Sequence, residues 1–207
     1  ESPKTPNRIF EYNIQTKEKK IVKEQIVPSG HNRDDYVVER LTCESHDGQK
    51  IPMTVTYHKK TKIDGSAHVL LYGYGSYGSS MWPAFSTSKF SLIDRNIIWV
   101  TCHIRGGLEK GMAWWREGKM LNKKNTFSDF ISCAKFLIKK KYTTEKKIIA
   151  YGGSAGGLLV GAVLNEEPDL FLGAINAVGF LDCLQTNMDH TLPLTKGELR
   201  EFGDAKN

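Results

Sequence analysis

The order of segments in the chain predicts an α/β protein built on a largely parallel sheet. Short apolar runs of strand character alternate with helix-forming runs, in the order strand, helix, strand, helix, strand. The strand runs are apolar without interruption, as strands buried on both faces must be. A glycine-rich turn centred on a serine, Gly152-Gly153-Ser154-Ala155-Gly156, then joins one such strand directly to the helix after it.

Taken in order, RIFEYNI at residues 8–14 alternates apolar and polar side chains, and a polar turn leads to IVKEQIV, which together read as a β-hairpin. Pro28, Ser29, Gly30 and the polar HNRDD form a linker, so the hairpin belongs to a different module from the rest. Two strands do not make a stable domain alone. A second hairpin, YVVERLTCES and KIPMTVTYHKK, turns at Asp47-Gly48, a strong short-range signal. AHVLLY, ending at Tyr72, and IIWVTCHI, ending at Ile104, are buried strands that both finish in glycine-rich loops. Asn125 or Thr126 is expected to cap a helix through Lys140, with Phe127, Phe130, Ile131, Ala134, Leu137 and Ile138 on one face. The strand Ile148 to Tyr151 and a helix from Leu158 to Leu164 flank the serine turn, and GAINAVGF, residues 173–180, is expected to be another buried strand. In such a sheet the working site lies at the carboxyl ends of the strands, where the loops after Tyr72, Arg105, Gly152 and Leu181 converge.

Composition narrows the function. A chain of 207 residues with 40% hydrophobic and 25% charged residues is an ordinary globular sequence. The formal charge of +6 comes from scattered lysine clusters without interleaved aromatics, so a solvated basic surface is expected and no nucleic-acid partner. Cys43, Cys102, Cys133 and Cys183 are widely separated, with no metal-ligand spacing, and read as buried thiols. With no membrane-length apolar run and no signal-peptide pattern, the expected home is a reducing cytoplasm and no membrane partner is expected.

The serine turn has the G-x-S-x-G pattern of a nucleophile elbow. Its physical basis is a strand-to-helix turn too tight for side chains, which pushes the serine out above the sheet. The helix N–H groups then face any oxyanion formed there. The bland alternative is an inert serine in a glycine-rich turn. Gly73-Tyr74-Gly75-Ser76-Tyr77-Gly78 also matches a dinucleotide fingerprint, but Trp82-Pro83 blocks an immediate helix and the next strand ends without a ribose-binding carboxylate. No cofactor and no metal are therefore expected. Tyr74 is instead a candidate oxyanion donor, with a packed aromatic as the alternative. A serine nucleophile needs a carboxylate and a histidine after it in the chain. Only His190 follows Ser154, with Asp182 and Asp189 nearby, and little chain is left to form the strands that carry such partners. The expectation is a piece of a hydrolase that stops before its own base.

DGQKIPMTVTYHKK, LLYGYGSYG, CHIRGGLEKGMAWWREGKMLNKKNTFSDF, YGGSAGGLLVGAVLNEEPDLF and TLPLTKGELREFGD, in that order, resemble the prolyl oligopeptidase family of serine peptidases, and within it the oligopeptidase B branch. The resemblance implies a β-propeller capping an α/β-hydrolase domain, cleavage of oligopeptides and no cofactor. Residues 1–32 then resemble the last propeller strands, and residues 33–207 the N-terminal portion of the catalytic domain. By the same resemblance Ser154 is the nucleophile, Tyr74 and the Ala155 N–H form the oxyanion hole, and the triad Asp and His lie beyond Asn207. Tyr77 lines the substrate pocket and Glu198 matches the first of the glutamates that bind an Arg or Lys side chain. The chain departs from the branch at Arg200, where a second glutamate is usual, at Trp82 and Ala84, where bacterial members carry aspartates, and at Phe202, which replaces a tryptophan. Alternatives are a prolyl-endopeptidase-like or esterase-type acyl hydrolase, and a non-catalytic interaction protein.

Overall fold

The computed structural model describes residues 2–206; Glu1 and Asn207, the outer bounds of the two expected units, lie outside them. Strand β1 (Arg8–Tyr12) pairs antiparallel with β2 (Lys19–Glu24) and shares no sheet with the remainder. Residues on either side of this hairpin are tied to the larger unit. The Lys4 ammonium donates to the Tyr36 carbonyl at 2.9 Å, and the His31 ring stacks on Tyr36 at 4.9 Å.

The larger unit opens with the hairpin of β3 (Tyr36–Glu44) and β4 (Lys50–His58), in unbroken register from Tyr36↔His58 to Glu44↔Lys50. Gly48 takes the left-handed conformation the turn requires, at φ 83°. There follow β5 (Val69–Tyr72), α1 (Thr87–Ile93), β6 (Ile98–Cys102), α2 (Met112–Arg116), α3 (Lys124–Lys139), β7 (Ile148–Gly153) and α4 (Ala155–Glu166). The described chain finishes with β8 (Phe171–Ala177), α5 (Cys183–Met188) and α6 (Thr195–Phe202). The sheet order is β3-β4-β6-β5-β7-β8. The sheet is mixed: β6, β5, β7 and β8 run parallel, while the β3–β4 hairpin joins β6 antiparallel.

Both faces of the central strands are covered, which is why their sequences read as continuous apolar runs. On one face Val69, Leu71, Val100 and Ala150 pack against Phe130, Ala134 and Leu137 of α3 and Leu159 and Val163 of α4. On the other, Leu70 and Trp99 pack with Phe85, Phe90 and Ile93 around α1.

Two expectations are corrected here. GAINAVGF does not form a buried strand: β8 begins earlier, at Phe171, and most of it is exposed, Leu172 by 53% and Ile175 by 44%. Among the described residues β8 pairs with β7 alone and forms the edge of the sheet. Nor do Asn125 and Thr126 cap α3, which starts at Lys124 with no side-chain cap. Thr126 lies inside the first turn, where its hydroxyl donates to the carbonyls of Arg105 and Gly118.

Candidate active site

The serine turn is the junction of β7 and α4. Ser154 sits at φ 54°, ψ −121°, a region that costs a non-glycine residue of order 1–3 kcal/mol and is held only where surroundings dictate it. Here they do. The Ser154 N–H donates to the Ala177 carbonyl at 2.9 Å, and the Ser154 carbonyl accepts from Phe180 N–H at 2.9 Å and Gly157 N–H at 2.8 Å. The turn also closes on itself: a Cβ at Gly152 would lie 2.1 Å from the Gly156 carbonyl oxygen, and one at Gly156 would lie 2.9 Å from the Gly73 oxygen. Glycine is required at both positions for that reason. Ala155 is the first residue of the helix, so its N–H has no intrahelical acceptor.

The Tyr74 loop arrives beside this turn because β5 and β7 are paired neighbours, with Tyr72 opposite Tyr151. Pairing continues one step further through the Gly73 N–H to the Tyr151 carbonyl at 3.1 Å, which sets Tyr74 against Gly156. Burial raises the Tyr74 pKa; the neighbouring Ser154 side chain acts as a hydrogen-bond partner that lowers it, and the charges of Glu198 and Glu201 raise it. The phenol thus stays protonated and able to donate at neutral pH.

Tyr77, at φ 57°, donates its hydroxyl to Glu198 Oε2 at 2.6 Å. Burial pushes its pKa well up, and the bond to Glu198 pushes it further in the same direction. Ser154, Tyr77 and Glu198 line one cleft of about 450 Å3, whose remaining wall includes Val178, Phe180, Leu192 and Leu194. Phe202 packs edge-on against the Tyr77 ring at 6.0 Å and lies 5.6 Å from Phe180, behind two residues of the cleft lining.

A buried polar layer fixes these loops from beneath. Arg105 is 1% exposed and spans Asp129, which its Nε and Nη2 reach at 2.9 and 2.6 Å, and Asp47 at 2.5 Å. Burial disfavours the guanidinium charge, yet the bonds to Asp129 and Asp47 prevail and raise its pKa. The next residue, Gly106, accepts from the Gly78 N–H at 2.9 Å and so anchors the end of the Tyr74 loop. Lys123 and Glu201, neither of which stood out in the sequence, occupy the same layer. Glu201 is 1% exposed and accepts from Trp115 Nε1 at 2.8 Å. The sequence signal that could have marked it is a carboxylate three positions after Glu198, which places both on one side of a helix.

Ser154, Ala155, Tyr74, Tyr77 and Glu198 are therefore brought together. Asp182, Asp189 and His190 are not part of that group. Asp182 accepts from Gln185 N–H at the start of α5, Asp189 accepts from Thr191, and His190 faces Asp204 at 3.9 Å. The Arg200 side chain is exposed, and Trp82 is 77% exposed on the rim of a different cleft with Arg40, His103 and Glu109. Among the described residues no group of three or more His, Cys, Asp or Glu could hold a metal ion, and no helix is long and apolar enough to cross a membrane.

Comparison with known proteins gives a consistent picture. The family model described as the prolyl oligopeptidase family matches residues 83–207. The chain is 45% identical over 203 residues to dipeptidyl aminopeptidase BI of Pseudoxanthomonas mexicana, covering 98% of this chain and 28% of that protein. It is 44% identical over 206 residues to protease 2 of Moraxella lacunata, covering 100% of this chain and 30% of that protein. Among solved structures, oligopeptidase B from Leishmania major matches with a TM-score of 0.92 at 46% identity, over 98% of this chain and 28% of that one. The chain thus spans less than a third of the length of these relatives.

Proposed function

We propose, for a chain that belongs to the prolyl oligopeptidase family, that Ser154 is the nucleophile of a serine endopeptidase acting on oligopeptides. Its Oγ attacks the scissile carbonyl, and the oxyanion so formed takes hydrogen bonds from the Ala155 N–H and the Tyr74 hydroxyl. Collapse of that state expels the amine and leaves an acyl-enzyme, which water hydrolyses. The serine proton passes to a histidine held by an aspartate, and both of these lie beyond residue 207. Residues 33–207 are the N-terminal portion of an α/β-hydrolase domain, and residues 1–32 the closing strands of a β-propeller. No cofactor enters the chemistry. Four free cysteines accord with a reducing cytoplasm.

Support comes chiefly from one observation, the strained backbone of Ser154 at the mouth of α4, which aims its side chain where the helix N–H groups and the Tyr74 phenol can act on the same atom. Glu198 is the carboxylate that receives an Arg or Lys side chain at the cleavage point, a charge-assisted pair of the stronger kind. A second reading, cleavage after proline or another neutral residue, is favoured by the apolar walls of the cleft and by Arg200 standing where a second carboxylate is usual.

A fluorophosphonate probe tests the nucleophile. The full-length protein is expected to be labelled, Ser154→Ala to lose labelling and roughly 10⁵–10⁶ in kcat, and residues 1–207 alone to show no turnover. Labelling that survives Ser154→Ala rejects the assignment. Matched peptides with Arg or Pro before the scissile bond then decide between the two specificities.

A further inference from the structure

A single buried ammonium lies between the catalytic loop and the specificity helix. Lys123, immediately before α3, is 9% exposed. Its Nζ donates to the Gly75 carbonyl at 2.6 Å and to the Ser76 hydroxyl oxygen at 2.6 Å, and meets Glu201 Oε1 at 3.4 Å. These acceptors match its three protons one for one. Gly75 and Ser76 are the residues between Tyr74 and Tyr77, and Ser76 is fully buried. Glu201 is one turn on from Glu198 in α6. The loop that carries Tyr74 is therefore joined to α6 twice, by Tyr77 to Glu198 at the surface and through Lys123 to Glu201 inside.

A buried ion pair is weak support for stability, since well-packed apolar residues of similar size often serve as well or better. What an apolar side chain cannot do is grip two neutral acceptors on a loop that a few tenths of an ångström would put out of register with Ser154. We infer that Lys123 is a positioning residue: paired with Glu201, it clamps Gly75 and Ser76 and thereby fixes the reach of the Tyr74 hydroxyl toward the oxyanion on Ser154. The inference rests on the assignment of Ser154 and Tyr74 made above.

Titration supplies an independent readout. Burial pushes the Lys123 pKa down to about 8, against the upward pull of Glu201 and Glu198 on α6 and Cys183 on α5. The clamp is thus charged and fully donating below pH 8 and neutral, with one proton fewer, above it. In Glu201→Gln the charge that favours the ammonium is gone, so deprotonation comes at lower pH.

The experiment is a double-mutant cycle on the full-length protein with an Arg peptide substrate. Lys123→Met is expected to lower kcat about 10- to 100-fold, below the 10²- to 10³-fold loss of an oxyanion donor, with KM changed less than threefold. Tyr74→Phe alone is expected to take that larger loss, and adding Lys123→Met to it is expected to cost less than threefold more. Losses that multiply in the double variant overturn the inference, because Lys123 would then act other than through Tyr74. If Lys123→Met fails to fold, Glu201→Gln decides: the alkaline limb of kcat should move to lower pH, and a limb that stays in place overturns the inference. Fluorophosphonate labelling keeps the underlying assignment separate. Loss of labelling in Ser154→Ala upholds Ser154 whatever the cycle gives, and labelling that survives Ser154→Ala removes the assignment itself.

Discussion

The two walls of the cleft are built on different principles. The elbow wall, Gly152 to Gly157, is held by backbone against backbone: a positive φ at Ser154, carbonyls of Gly73 and Gly156 within van der Waals reach of glycine Cα atoms, and main-chain bonds to Ala177 and Phe180. The opposite wall, α6, is held by side chains, namely Tyr77 on Glu198, Trp115 on Glu201 and the Lys123 clamp. A backbone wall has one geometry and fails outright when it is altered. A wall of polar side chains can be weakened contact by contact, and of these contacts the Tyr77–Glu198 bond is the one that lines the cleft.

The sharpest way to break the contrast is to put a methyl group into the elbow. Gly152→Ala places Cβ 2.1 Å from the Gly156 oxygen, so the turn must open; a loss of about 3 kcal/mol in stability is expected together with loss of fluorophosphonate labelling. The same substitution at Gly173 in β8 meets none of the described residues within 4 Å and should cost far less stability and labelling than Gly152→Ala. Equal effects at the two glycines, measured by thermal denaturation, would mean that the elbow is not backbone-locked.

This division also explains what the sequence could and could not reveal. The turn around Ser154 and the loop around Tyr74 were legible because tight turns need glycines at fixed spacings, and spacings survive in a one-dimensional text. The buried strands were legible from their uninterrupted apolar runs. Lys123 and Glu201 were not, because 78 positions separate partners that meet only after folding, and each alone reads as a solvated charge. Helices α1, α2, α5 and α6 are all shorter than the length at which a helix is stable by itself, so packing rather than local sequence creates them. GAINAVGF differs for another reason: an uninterrupted apolar run marks a strand meant to be covered on both faces, and among the described residues β8 is paired with β7 on one side alone.

On the α6 wall the expected effects are smaller and selective. Glu198→Gln removes the charge and keeps the shape. If the carboxylate receives a basic side chain, kcat/KM for an Arg peptide should fall by about 1.5–3 kcal/mol, roughly 10- to 150-fold, with Pro peptides unaffected. An unchanged Arg preference would transfer specificity to another group and favour the neutral-residue reading.

The finest test concerns the bond that joins the walls. In the structure Tyr77 already occupies Glu198 Oε2 at 2.6 Å, and a guanidinium that binds both carboxylate oxygens must share or displace that donor. Tyr77→Phe keeps the ring against Phe202 and removes only the hydroxyl. Because the phenol stays protonated far above neutral pH, the competition is constant across the working range and any change reflects the missing group rather than its ionisation. A released competitor should lower KM for Arg peptides about threefold with kcat held, a net hydrogen bond of about 0.5–1.5 kcal/mol being regained by substrate. A rise in KM instead would show that Tyr77 holds Glu198 in its receiving orientation. The α6 wall would then be preorganised as firmly as the elbow, by a side chain doing what glycines do opposite.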